Sequence, residues 1–179
     1  MKTVILIACS LLILPISLAA QKPMKAMADE HKAMTDQEFV DFAAQTDMIE
    51  ANLGQLAQTA AADQSVKDYA QMLVTDHTKD LQMLQDAASQ AQLKVPDAID
   101  AEHNKSMIAP FQKLNGAAFD RRYITEMIAG HTKAIATYRA ESTKAQSDAL
   151  KSYATEALPV LEKHLSGAKD LQSKKTSAQ

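Results

Sequence analysis

Between Val66 and Ala91 the apolar residues fall in steps of three and four: Val66, Ala70, Leu73, Leu81, Leu84, Ala88 and Ala91, with His77 filling the gap in the series. That spacing is the seam of an amphipathic helix, because a strand would put every second residue on one face. One such helix cannot bury its own stripe, so the chain must supply partners for it.

Three more segments repeat the pattern. The first runs from Thr35 through Phe39, Phe42, Ile49, Leu53 and Leu56, and Thr35-x-x-Glu38 at its start is a capping box. The seam around His77 is the second, beginning near Asp63 or Ser65. A third follows Leu114-Asn115-Gly116 and carries Ile124, Met127, Ile128, Ile135 and Tyr138. The fourth starts at Ser147 and carries Leu150, Tyr153, Leu161 and Leu171. No strand-like alternation of useful length occurs, and only 4 Gly and 5 Pro interrupt the 179 residues. The fold class expected is all-α. Short connections after the first and third segments force antiparallel hairpins, whereas the stretch from about Leu93 through Pro96 and Pro110 to Gly116 can run the full height of a bundle. The expected architecture is a ferritin-like antiparallel four-helix bundle with one long crossover, and an up-down-up-down bundle with an elaborate loop is the alternative. Pro159 inside the fourth segment should kink it one turn before His164.

Residues 1–20 read as a signal peptide. Lys2 precedes the apolar run from Val4 to Leu14, Pro15 ends it, and Ser17-Leu18-Ala19 places cleavage near Ala19 or Ala20. The run is shorter than the roughly 20 residues that span a bilayer. Cys9 is the only cysteine and leaves with this segment, so the mature chain offers no thiol for a disulfide or a metal. Residues 21–34 form a polar leader with Met24, Met27, His31 and Met34, read as an ordinary linker rather than a soft copper-binding segment. The bundle domain is expected over 35–174, with a tail at 175–179, and the chain as a periplasmic or otherwise exported protein.

Each helical stripe carries one residue of metal-ligand type: Glu50, His77, His131 and His164. Residues equally distant from a tight turn lie at equal height on its two helices. Midway between Glu50 and His77 lies the first turn, beside Asp63, and midway between His131 and His164 lies the second, beside Ser147. The four side chains can therefore converge at one level of the core. Neutral imidazole and carboxylate suit one ion of Zn, Fe, Mn, Ni or Cu. The alternative is a metal-free structural or interaction bundle with a buried His/Glu network. A dinuclear ferritin-type centre does not fit, because Val74 and Leu161 stand where its Glu-x-x-His steps need carboxylates. Asp76, a 100° step from His77 on the helix, reads as solvated. Met127 reads as core filler, Arg121 and Arg122 as surface charges, and His103 as an exposed crossover residue.

The segments Leu53-Gly54-Gln55-Leu56-Ala57, Met72-x4-His77-Thr78, Phe119-Asp120-x2-Tyr123, Met127-x3-His131 and Leu158-Pro159-x4-His164-Leu165 resemble the bacterial family called "domain of unknown function 4142". The resemblance covers about Thr35 to Lys174. It implies exported proteins with a ferritin-like bundle, often labelled outer-membrane proteins, hence an envelope association, and it carries no activity. A formal net charge of -3 with no basic, aromatic-rich block excludes a nucleic-acid partner. No glycine-rich phosphate loop, activated serine or glycosidase-type carboxylate pair is present, so no enzymatic reaction is assigned. The expected partner is a metal ion, in metal handling or envelope stress.

Overall fold

Thr35 accepts a hydrogen bond from the Glu38 amide on its Oγ1 (3.2 Å), and the Glu38 carboxylate accepts from the Thr35 amide (2.7 Å). This capping box starts α1, Asp36–Ala60. The computed structural model describes residues 34–177, with side chains described as far as residue 174. The expected signal peptide, Cys9, and Met24, Met27 and His31 of the leader lie outside the described residues. Met34 lies within them and packs, partly buried, against the core at one end of the bundle.

Asp63 caps α2, Gln64–Gln90, by accepting from the Ser65 amide at 2.9 Å. The helix ends in a Schellman arrangement: Gln92 adopts a left-handed φ of 58° and the Leu93 amide donates to the Ala88 carbonyl at 2.9 Å. The crossover then passes along α1. Gln37 holds the Lys94 carbonyl, and Gln45 donates to the Ala98 carbonyl while accepting from the Asp100 amide. It contains a helical turn α3, Ala101–His103, a π-turn Asn104–Ile108 and a 3-10 turn Phe111–Lys113, none of which the sequence periodicity indicates.

Helix α4, Gly116–Lys144, starts beside the end of α1, where Ala61 and Gly116 pair. Asp120, buried on α4, accepts from the Ala62 and Asp63 amides and so ties the α1–α2 turn to α4. At the other end Asp36 accepts from the Gln146 and Ser147 amides, placing the α4–α5 turn against the start of α1. Helix α5, Asp148–Ser177, contains Pro159 and continues into the stretch that the sequence sets aside as a tail. Among the described residues the protein is all-helical, and no helix is long and apolar enough to cross a membrane.

The core has two parts. One gathers Phe39, Leu84, Tyr138, Leu150 and Tyr153; the other gathers Leu53, Leu73, Phe119, Tyr123 and Met127. Each long helix passes from one cluster to the other, and at the changeover each carries a buried polar side chain: Glu50 on α1, His77 on α2, His131 on α4 and His164 on α5.

Candidate metal centre

His77 is 1 % exposed and is gripped from both sides by α1. Its Nδ1 lies 2.8 Å from Asp47 Oδ1, and its Nε2 lies 2.9 Å from Glu50 Oε2. Asp47 and Glu50 are one helical turn apart, so both carboxylates face the same neighbour. The contact to Glu50 is close but bent. Neither His77 Nε2 nor Glu50 Oε2 has a well-directed hydrogen-bond partner, although both are fully buried.

His131 Nδ1 lies 2.9 Å from the Met127 carbonyl, one turn earlier on α4. A carbonyl can only accept, so Nδ1 carries hydrogen and the Nε2 lone pair points inward. That Nε2 stands 3.2 Å from Glu50 Oε2 and 3.2 Å from His164 Nδ1. His164 in turn has its Nε2 2.9 Å from the Asp76 carboxylate, which lies on α2 and is partly exposed. With Nε2–H donated to Asp76, the Nδ1 lone pair of His164 also points inward. One ring nitrogen from each of His77, His131 and His164 lies within 4.8 Å of the others. A tetrahedral ion bound at about 2.0–2.1 Å separates neighbouring ligands by roughly 3.3 Å. The 2.9 and 3.2 Å contacts are on that scale.

The electrostatics differ from one imidazole to the next. Burial pushes His131 down, and it pushes His164 down to about 4, so both are neutral at pH 7. Burial also acts against a charge on His77, but the Glu50 and Asp47 carboxylates outweigh it and carry the group up to about 10. Glu50 is likewise opposed by burial, yet the His131 and His77 rings hold it below its usual range. Asp47 is raised to about 8, chiefly by burial. The metal-free core therefore holds a His77–Glu50 ion pair beside two neutral imidazoles. The inward lone pairs of those imidazoles face each other at 3.2 Å with no hydrogen between them.

All four residues marked on the stripes thus meet at one level. Two neighbours depart from the sequence reading. Asp76, expected to be solvated, is the hydrogen-bond acceptor that orients His164, because the 100° turned away from the His77 stripe points it at α5. Asp47 has no part in the sequence pattern above, although it stands one turn before Glu50 on the same face. Beyond it, Tyr153 donates to Asp80 at 2.7 Å and pairs with the Tyr138 hydroxyl at 2.8 Å, a polar branch leading away from the imidazoles. His103 pairs with Asp100 on the crossover, and Met127 is buried core whose carbonyl the site uses.

Fold and site together define a helical bundle with a buried three-histidine, one-glutamate cluster at mid-height. The chain belongs to the family described as "Domain of unknown function (DUF4142)", which it matches over residues 21–171. Two solved structures share the fold. "CopM in the Cu(II)-bound form" matches with a TM-score of 0.65, and "CopM in the Ag-bound form (by co-crystallization)" with 0.61. Each is 16% identical to this chain, over 79% of this chain and 97% of its own. No curated protein matches the sequence.

Proposed function

We propose that this protein is an exported metal-binding bundle that holds one divalent transition-metal ion on His77, His131, His164 and Glu50 and serves metal handling in the cell envelope. The observation that carries the reading is the pair of inward nitrogens on His131 and His164, 3.2 Å apart in the buried core. Two lone pairs held face to face repel unless something positive lies between them, and a cation supplies it. Each imidazole has its outer nitrogen fixed by Asp47, Met127 or Asp76, which is how proteins orient histidine ligands and set their tautomers.

Imidazole and carboxylate donors suit Cu(II), Zn, Ni, Fe and Mn, and the general order of affinities puts Cu(II) first. The fold shared with structures in Cu(II)- and Ag-bound forms also makes copper the first ion to offer. Export rests on the signal-like residues 1–20, and a mature N-terminus at Ala20 or Gln21, read by mass spectrometry, would support it. Equilibrium dialysis tests the binding itself. Wild-type protein should retain about one ion per chain, and folded His131→Ala or His164→Ala should retain none. Wild-type protein that retains no Cu, Zn, Ni, Fe or Mn leaves a structural His/Glu network as the account of the core.

A further inference from the structure

A cavity of about 350 Å³ opens between α1, α4 and the crossover, and it ends on Glu50. Glu50 is 4 % exposed and belongs to both sides of that wall. Its Oε2 touches His77 and His131, while its Oε1 lies beside Gly130, where an added Cβ would come within 3.1 Å of it. The bare α-carbon at Gly130 thus leaves the carboxylate reachable from the cavity. Carboxylates dominate the charge of the lining: Asp41, Asp100 and Glu126 stand nearer the solvent, against the single ammonium of Lys133, which sits 5.3 Å from the Phe42 ring. Such a lining raises the local concentration of cations and repels anions.

Other openings among the described residues also touch the cluster. One of about 290 Å³ reaches His77 on the side of Asp47, so it meets a ring nitrogen already engaged. Another, beside Asp76 and His164, has about 10 Å³ of space, roughly enough for one water. The first cavity combines room, negative charge and a carboxylate of the cluster, Glu50, whose Oε1 lies on its side.

We propose that this cavity is the route by which a divalent cation enters and leaves the cluster, with Glu50 receiving the ion on its cavity side and passing it to the imidazoles. The proposal rests on the metal reading of the site. Thr46 lines the cavity, and its hydroxyl bonds the Phe42 carbonyl of its own helix, so Thr46→Phe fills the passage while leaving all four cluster residues in place. Ala51→Phe fills the second opening in the same way.

Stopped-flow mixing with Cu(II), and release into a chelator, would be followed for each variant, with far-ultraviolet circular dichroism confirming the fold. Thr46→Phe should slow uptake and release alike, by about tenfold or more, and leave one ion per chain and an unchanged equilibrium affinity. Asp41→Asn with Glu126→Gln should slow uptake and weaken its dependence on salt. Wild-type rates in Thr46→Phe, or slowing in Ala51→Phe instead, would overturn the route while leaving the metal centre standing. Wild-type protein that takes up no ion would overturn the metal reading itself, and the route with it.

Discussion

Asp76 and Asp47 each hold the outer nitrogen of a histidine, and the geometry of the cluster depends on those two hydrogen bonds. Asp76→Ala should leave the fold and the stoichiometry intact but lower metal affinity by about 10–100-fold, read by calorimetric titration, because the His164 ring loses its fixed tautomer. Protons compete at the same place. In the metal-free protein His77 keeps its proton to about 10 against an ordinary 6.5, and Asp47 keeps its proton to about 8 against 3.8. Both folded values lie above the unfolded ones, so their contributions are complete at low pH and are lost as pH rises. Between pH 6.5 and 8 both act in the same direction and outweigh the opposite contribution of His131 and His164, whose lowered values add stability just above pH 6.5. Chelated protein should therefore become less stable toward pH 8. Metal binding has the opposite sign: the ion must expel the His77 proton, so the stability it adds should grow with pH. Denaturant melts at pH 6.5 and 8, with and without metal, would check both slopes, and chelated protein that gains stability with pH would contradict the assignment. The four residues that meet in the core were legible in the sequence because each breaks a regular apolar stripe. Their partners were not: Asp76 faces a different helix from its own seam, and Asp47 lies next to Thr46, an equally acceptable stripe position.

Among the elements, the two hairpins depend on the tight turns and on what locks them. Asp120→Ala would leave the Ala62 and Asp63 amides without their acceptor, so denaturant titration should show a loss of about 1–3 kcal/mol, with the helices retained. Gly54 marks the closest approach of α1 to α2, since a Cβ there would sit 2.7 Å from Val74 Cγ2 and 2.9 Å from the Ala70 carbonyl oxygen. Gly54→Ala should therefore lower the thermal midpoint despite alanine's better helix propensity, and a raised midpoint would show that the two helices can separate freely. The caps at Thr35 and Asp63 were readable because a cap is a local event between residues three apart or fewer. The short turns of the crossover were not. The stretch that leads into them is held by long-range bonds from Gln37 and Gln45 on α1 to Lys94, Ala98 and Asp100, which no local pattern records.

On the scale of the molecule, four helices change from one apolar cluster to another at the height where their polar residues meet. This follows from equal distances to the two turns, which the residue numbers alone give. A ligand that binds only the native state stabilises it by mass action, about 2.7 kcal/mol at a hundredfold excess over Kd, so chelation should lower the thermal midpoint of the loaded protein. Loss of stability alone would not place the ion. Anomalous diffraction at the absorption edge of copper does so directly, on crystals of the copper-loaded protein. One peak is expected among His77 Nε2, His131 Nε2, His164 Nδ1 and Glu50 Oε2, the ion replacing the proton between His77 and Glu50. A peak elsewhere on the chain, with these four side chains unmoved and still bonded to one another, would contradict it.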